Sequence, residues 1–209
     1  MPADRLHLVR HGEVRNPDGI LYGRLPGFAL TAEGRRMARD AANAVHADGR
    51  PVGALLCSPL QRARESSEPF EELFGVEPLV DERVIEPTNV FEGRVMRRAL
   101  RNPLNWRHLV RPSVPSWGEP YAKVVHRVEA AMTDAWNRTA GGDVVIVSHQ
   151  LPIWITHLAV AGASLRHDPR ARRCALSSIT SFERHDDRWV EVDYREPAST
   201  VGAIDVGAV

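Results

Sequence analysis

Short apolar runs alternate along the chain with longer stretches in which apolar residues recur at helical spacing. A continuous apolar run of about four to eight residues is typical of a strand that is covered on both faces. The predicted strands are residues 6–9, 53–57, 79–80, 143–147, 179–182 and 189–192. The last two strands are expected to form a hairpin around residues 185–188.

Four stretches have the pattern of helices that follow these strands. They are residues 31–45 with Thr31 as the cap, 59–74 with Pro59 at an early position, 121–137, and 153–160 after Pro152. Alternation of strands and helices indicates a parallel sheet with helices on its faces. We therefore predict an α/β fold: a three-layer α/β/α sandwich with a mostly parallel central sheet.

Residues 86–118 do not fit that alternation, because they contain four prolines and several arginines and aromatic residues. We predict an irregular excursion with one helix, which acts as a lid over a site. Its arginines and Trp106 and Trp117 either line that lid or belong to an amphipathic helix with buried tryptophans. The chain as a whole, residues 1–209, is predicted to form a single catalytic domain.

Composition and charge narrow the class of protein. Of the 209 residues, 43% are hydrophobic and 26% are charged, which is typical of a globular protein. The 27 basic and 27 acidic residues give a net charge of zero, so no overall field favours nucleic acid or an acidic membrane as a partner. Lys123 is the only lysine, and the other 26 basic residues are arginines.

Two cysteines, Cys57 and Cys174, are separated too widely for a CxxC motif. No apolar stretch is long enough for a signal peptide or a transmembrane helix. We therefore expect a cytoplasmic location. A homodimer is an open alternative, since the sequence leaves the oligomeric state undetermined.

Three of the apolar runs end at polar residues whose side chains can bind an anion or act as a nucleophile. These residues are Arg10 and His11, then Ser58 with Arg62 one turn later, and finally Ser148 and His149. Ligands bind beyond the carboxyl ends of strands in open α/β sheets, so neighbouring strands would bring these side chains into one crevice. Two arginines and two histidines suit a phosphoryl dianion, and a neutral imidazole is a competent nucleophile.

The same residues resemble a known family. Residues 8–13 (LVRHGE), 58–63 (SPLQRA) and 147–149 (VSH) are similar, in order and spacing, to three blocks of the histidine phosphatase superfamily, also called phosphoglycerate-mutase-like. The resemblance covers residues 6 to 160. It implies a phosphohistidine at His11, Arg10 and Arg62 on the phosphoryl oxygens, and His149 as a hydrogen-bonding partner of the transferring group.

The resemblance also implies that Asn16 contacts the phosphate, that Glu86 is the general acid, and that no metal or other cofactor is used. The spacing between Glu86 and the Glu92-Gly93 pair is one residue shorter than the family pattern, which leaves Glu92, Glu82 and Asp81 as alternative acids. Further candidate substrate contacts are Arg24, for which a turn residue is the alternative, and Gln150, which follows His149.

The predicted function is a phosphomonoester phosphatase that acts on a small phosphorylated substrate. The compact chain with one lysine favours a phosphatase over a phosphoglycerate mutase, which is the first alternative. A non-catalytic module that binds a phosphorylated ligand is the second alternative, although a binding module has no need of a nucleophile. The sequence does not identify the phosphate ester.

Overall fold

A computed structural model of the chain describes residues 3–109 and 117–198. The strands are β1 (Leu6–Arg10), β2 (Val52–Cys57), β3 (Pro78–Val80), β4 (Asp143–Ser148), β5 (Ile179–His185) and β6 (Arg188–Arg195). The α-helices are α1 (Ala32–His46), α2 (Gln61–Phe74), α3 (Met96–Ala99), α4 (Tyr121–Arg138) and α5 (Gln150–Val160). Short 3₁₀ turns cover Glu82–Val84, Pro103–Leu109 and Pro169–Ala171.

The six strands form one sheet in the order β3-β2-β4-β1-β5-β6. The pairs β3–β2, β2–β4 and β4–β1 are parallel, whereas β5 is antiparallel to β1 and to β6. The sheet is therefore mostly parallel, and the predicted terminal hairpin is the antiparallel β5–β6 pair. Both predictions are confirmed.

Two apolar cores lie on opposite faces of this sheet, because successive side chains of a strand point to opposite sides. In β4, Val144 and Ile146 pack in one core with residues of α4 and α5. Val145 and Val147 pack in the other core with residues of α1 and α2. Helices thus cover both faces of a buried sheet, which confirms the predicted three-layer sandwich.

Helix boundaries differ from the sequence prediction at two places. Helix α5 begins at Gln150, three residues earlier than expected, with His149 at its N-cap. Pro152 is tolerated there because the first backbone N–H groups of a helix have no partner within the helix. Helix α2 begins at Gln61, so Pro59 precedes the helix instead of occupying an early helical position.

The excursion predicted for residues 86–118 contains only short helical pieces in its described part, and its residues 110–116 lie outside the described ranges. The short helical pieces are the four-residue helix α3 and the 3₁₀ turn Pro103–Leu109. Trp106 is 57% exposed, whereas Trp117 packs against the cluster that contains Leu21 and Phe91. The action of this segment as a lid stays a prediction.

Both cysteines are free thiols in buried positions, and burial raises the pKa of Cys57. Across residues 3–109 and 117–198, none of the helices combines the length and apolar character that a membrane crossing requires.

Candidate active site

The carboxyl ends of three parallel strands meet at one edge of the sheet. Arg10, at the end of β1, is paired with Ser148 at the end of β4. Cys57, at the end of β2, is paired with Val147 of β4. The residues that follow these ends, His11, Ser58 and His149, therefore lie beside one another, as the topology of an open α/β sheet predicts.

His11 is buried, with 2% of its surface exposed, and its ring orientation is defined by its neighbours. Its Nδ1 lies 2.8 Å from the carbonyl oxygen of Gly12. Because a carbonyl only accepts hydrogen bonds, Nδ1 carries the proton and Nε2 keeps a lone pair. Arg62 Nε donates toward that Nε2 at 3.3 Å. Burial, followed by the charges of Arg62 and Arg10, lowers the pKa of His11 well below the usual range, so the ring is neutral.

Two glycines allow the loop that follows β1, which contains His11 and Gly12, to pack directly on helix α1. A Cβ atom at Gly12 would lie 2.2 Å from the carbonyl oxygen of Gly34, and a Cβ atom at Gly34 would lie 2.1 Å from the carbonyl oxygen of Glu13. Any larger residue at either position would force two backbone segments apart. The Gly12 N–H donates to Ser66 Oγ at 3.1 Å, which holds the loop against α2 as well.

Arg10 is completely buried at the end of β1. Its Nη1 donates to the carbonyl oxygen of Cys174 at 2.6 Å. Cys174 precedes β5, the antiparallel neighbour of β1, so the C-terminal hairpin helps to orient this guanidinium.

Arg62 lies in the first turn of α2 and is 1% exposed, whereas Arg64 is exposed on the same helix. Its Nη2 donates to the carbonyl oxygen of Gly23 at 2.7 Å. The guanidinium carbon lies 4.7 Å from the centroid of the Tyr22 ring, a cation–π contact. These contacts, together with the one to His11, fix the charge of Arg62 next to the imidazole.

His149 lies beside His11, with ring centroids 5.2 Å apart. Its Nε2 is 2.7 Å from Ser58 Oγ, and its Nδ1 is 3.9 Å from Glu86 Oε2. Both His149 Nδ1 and Glu86 Oε1 are buried, and neither makes a hydrogen bond with the described part of the chain. His149 and Glu86 thus lie close together, and each has a buried polar atom whose hydrogen-bonding capacity a bound polar group would satisfy.

Burial has opposite effects on the two buried groups. It lowers the pKa of His149, and the charge of Arg62 lowers it further. It raises the pKa of the Glu86 carboxyl, which favours the protonated acid. Four arginines oppose that rise without reversing it: Arg62, Arg172, Arg10 and Arg127. The site therefore pairs a neutral imidazole with a carboxyl that retains its proton to higher pH than usual.

Two of the three rival carboxylates bind groups elsewhere, and the third, Glu82, is exposed. Glu92 Oε1 accepts from the backbone N–H groups of Arg24 at 3.1 Å and Asn89 at 3.3 Å, so it holds two loops together. Asp81 caps the 3₁₀ turn Glu82–Val84 and binds the side chain of Arg83. Of the four carboxylates considered from the sequence, Glu86 is the one beside His149.

The three further candidates for substrate contact lie in different settings. The Asn16 amide bridges both backbone groups of Ile20, at 2.8 and 3.2 Å, and so closes its own loop. Arg24 Nε donates to the backbone carbonyl of Glu86 at 2.5 Å, and Arg24 and Arg62 both line a cavity of about 510 Å³. Gln150 Oε1 accepts from Arg172 Nη1 at 3.2 Å. The structure thus brings Arg24 to the edge of the site.

Two arginines near Glu86 were missed in the sequence. Arg172 and Arg127 both lower the pKa of the Glu86 carboxyl by their charge. Arg127 makes a bidentate ion pair with Glu119, at 3.1 and 3.0 Å. With 26 arginines in the chain, no sequence signal separates these two from surface residues.

Metal-ligating side chains do not cluster in the described ranges. In residues 3–109 and 117–198, no group of three or more His, Cys, Asp or Glu residues is placed to hold a metal ion.

The family profile described as histidine phosphatase superfamily (branch 1) matches residues 6–197. The chain therefore belongs to the histidine phosphatase superfamily. The match extends past the three sequence blocks and includes the β5–β6 hairpin.

Comparison with individual proteins agrees with this membership. The chain is 47% identical over 203 residues to the uncharacterized protein Rv0525 of Mycobacterium tuberculosis strain H37Rv, covering 95% of this chain and all of that protein. It is 26% identical over 183 residues to a probable phosphoglycerate mutase, GpmB, of Klebsiella pneumoniae, covering 84% of each chain. Among solved structures, a mycobacterial glucosyl-3-phosphoglycerate phosphatase in complex with inorganic phosphate shares the fold, with a TM-score of 0.75 at 22% identity, covering 94% of this chain and 100% of that chain.

Proposed function

We propose that this chain is a phosphomonoester phosphatase that hydrolyses a small phosphate ester through a phosphohistidine on His11. The observation that carries the proposal is the His11 imidazole, which is neutral and has its Nε2 lone pair directed toward Arg62. Phosphoryl transfer requires a nucleophile, cations that stabilise the transferring oxygens, and an acid for the leaving group. The residues around His11 can supply all three.

In the first half-reaction, the lone pair of His11 Nε2 forms a bond to phosphorus as the bond between phosphorus and the ester oxygen breaks. Arg62 Nε exchanges its hydrogen bond to His11 Nε2 for one to a phosphoryl oxygen, which frees the lone pair. Arg10 also binds the phosphoryl oxygens, and His149 hydrogen-bonds the transferring group. Glu86 gives its proton to the leaving alkoxide, which departs as an alcohol. The proton on His11 Nδ1 stays in place, because it is held by the Gly12 carbonyl.

In the second half-reaction, the Glu86 carboxylate takes a proton from water, and the water oxygen attacks phosphorus. The bond between phosphorus and Nε2 breaks, its electron pair returns to His11, and inorganic phosphate leaves. Both the acid and the imidazole are then in their starting states. Asn16 is a further proposed contact to the phosphate, and Arg24 and Gln150 are proposed contacts to the substrate. Arg24 is the best placed of the three, because its Nε donates to the backbone carbonyl of Glu86.

Two named proteins of similar sequence or fold support this chemistry. One is called a phosphatase and was solved with inorganic phosphate, and the other is called a probable phosphoglycerate mutase. Both activities require a phosphoryl group at one centre. A module that only binds phosphate would not need His11 in a neutral, nucleophilic form.

We propose that residues 1–209 form one catalytic domain, and that it works in the cytoplasm, where its two buried thiols stay reduced.

Hydrolysis of p-nitrophenyl phosphate in the presence of EDTA tests the proposed function. We expect full activity, because arginines supply the positive charge that a metal ion would otherwise bring to the phosphoryl oxygens. Vanadate should inhibit, since it mimics five-coordinate phosphorus. Loss of activity in EDTA, followed by recovery with added Mg²⁺ or Zn²⁺, would contradict the proposal.

The mutase alternative makes a different prediction for the same phosphoenzyme. We expect transfer to water to exceed transfer to 3-phosphoglycerate, because the single lysine, Lys123, is exposed on α4 and adds no cation to the site. The measurement is the ratio of inorganic phosphate released to 2-phosphoglycerate formed, with and without 2,3-bisphosphoglycerate. Efficient interconversion of the two phosphoglycerates with little phosphate release would favour a mutase.

A further inference from the structure

Arg172 reaches the site from the segment between α5 and β5, and it hydrogen-bonds neutral groups. Its Nε donates to His167 Nε2 at 2.9 Å, and its Nη1 donates to Gln150 Oε1 at 3.2 Å. Its charge lowers the pKa of the Glu86 carboxyl, and among the arginines only Arg62 has a larger effect. Arg172 is partly buried, and burial lowers its pKa. The guanidinium is therefore partly desolvated beside the proposed general acid.

Four arginines, two that act near Glu86 or the cavity and two in the segment of Arg172, have carboxylate partners that Arg172 lacks. Arg24 and Arg127 share Glu119, at 3.6 and 3.0 Å. In the same segment, Arg170 pairs with Asp168, and Arg173 pairs with Glu191. Within residues 3–109 and 117–198, no carboxylate forms an ion pair with Arg172. Desolvated cations are normally paired, so this charge lacks the partner that the other four have.

The guanidinium is also held in a fixed position. His167 Nδ1 lies 2.9 Å from the carbonyl oxygen of Leu165, so Nδ1 carries the proton and Nε2 accepts from Arg172. The His167 ring packs against the rings of Tyr121 and Trp154, with centroid distances of 5.5 and 6.0 Å. A cation that is oriented before its ligand arrives loses little conformational entropy on binding.

The location of Arg172 relative to the proposed reaction indicates what it would bind. Arg10 and Arg62 are assigned to the phosphoryl oxygens, and Glu86 is assigned to the leaving oxygen. Arg172 donates to Gln150, the residue after His149, and His149 Nδ1 is 3.9 Å from Glu86 Oε2. Arg172 therefore approaches from the side of the alcohol part of the ester. Guanidinium groups bind carboxylate and phosphate by paired hydrogen bonds.

We propose that Arg172 forms a second anion subsite, which binds a carboxylate or another anionic group on the alcohol part of the substrate. The proposal rests on the proposed function, because that function defines which side of the site the alcohol occupies. It restricts the substrate class to phosphate esters that carry an additional negative charge.

Binding of two esters that differ only at that group tests the subsite. The probes are 3-phosphoglycerate and glycerol 3-phosphate, in which a carboxylate replaces a hydroxymethyl group. Isothermal titration calorimetry on His11→Ala measures their Kd values without turnover. We expect 3-phosphoglycerate to bind about tenfold more tightly or better, as is typical of one hydrogen-bonded charge pair. When Arg172→Gln is added to His11→Ala, the ratio of the two Kd values should fall close to one. Arg172→Lys in its place should retain part of the preference for 3-phosphoglycerate.

Arg173→Gln is the matched control, because Arg173 is exposed and already paired with Glu191, and the ratio should not change. Equal affinities for the two esters in His11→Ala would overturn the subsite, and so would a loss in Arg172→Gln that weakens both esters equally. Binding of neither ester would overturn the subsite and the phosphate site together. The proposed function is judged separately, by hydrolysis of p-nitrophenyl phosphate by the unmodified protein.

Discussion

His11→Ala is expected to lower the rate of p-nitrophenyl phosphate hydrolysis by about 10⁴-fold or more, because it removes the proposed nucleophile. The imidazole is neutral, and its one in-plane lone pair is on Nε2, the atom that accepts from Arg62 Nε. Arg10 and Arg62 remain in the variant, so phosphate binding should persist while turnover is lost. Steady-state kinetics with measured phosphate affinity separates these two effects.

Trapping the intermediate identifies the nucleophile directly. Labelled phosphate from the substrate should be recovered on His11 after a quench that avoids acid, since a phosphorus–nitrogen bond is labile to acid. His185→Ala is the control, because His185 is exposed at the end of β5 and should label normally. Label found on Ser58, Ser148 or Cys57 would overturn the mechanism.

Glu86→Gln is expected to slow alkyl phosphates by about 10²-fold or more, and p-nitrophenyl phosphate much less. An alkoxide is a poor leaving group unless it is protonated as the bond breaks, whereas nitrophenolate leaves readily. Some loss on the aryl ester should remain, since Glu86 also activates the water of the second half-reaction. The measurement is kcat/KM for glycerol 3-phosphate and for p-nitrophenyl phosphate in the two proteins.

The pH dependence of the same reaction follows from the direction of each pKa shift. Burial raises the pKa of Glu86, and a bound phosphate dianion raises it further, so the acid form persists to higher pH than usual. Hydrolysis of the alkyl ester should fall as the pH rises through that pKa, and Glu86→Gln should lack this alkaline decline. The pKa of His11 is lowered, so the acid-side decline should lie below the usual histidine range.

Glu92→Gln is the matched control for the general acid. Glu92 accepts from two backbone N–H groups, so its replacement should affect both esters to a similar extent through the loop that it holds. A leaving-group dependence in Glu92→Gln that is absent in Glu86→Gln would show that the wrong carboxylate was chosen. Small and equal effects in both variants would point to Asp81 or Glu82.

The strands, the helices and their order along the chain could be predicted, because the apolar pattern is strong where strands are buried on both faces. β4 is the clearest case, with four apolar residues that supply both cores. The start of α5 was predicted three residues too late, because the prediction placed Pro152 before the helix. Proline is tolerated through the first turn, so its position alone does not define where the helix begins.

The candidate site could be predicted where residues follow strand ends, and not where the chain approaches from elsewhere. His11 and His149 are adjacent because β1 and β4 are paired in register, which the topology implies. Arg172 comes from an irregular segment after α5, and its approach to Glu86 depends on how that segment packs. Gly34 was missed for a similar reason, because its role is a backbone contact with a loop more than 20 residues away.

The contact between Arg10 and the Cys174 carbonyl joins residues that are 164 positions apart in the chain. β1 emerges from the ribosome first, whereas the carbonyl that binds Arg10 Nη1 is in place only after the segment before β5 has emerged and β5 has paired with β1. A nascent chain that stops after α5 already contains His11, Arg62, Glu86 and His149, yet it lacks this anchor and Arg172. Contacts of such long range form late and slowly in folding. The orientation of Arg10 at the candidate site therefore depends on a late step of folding, the pairing of β5 with β1.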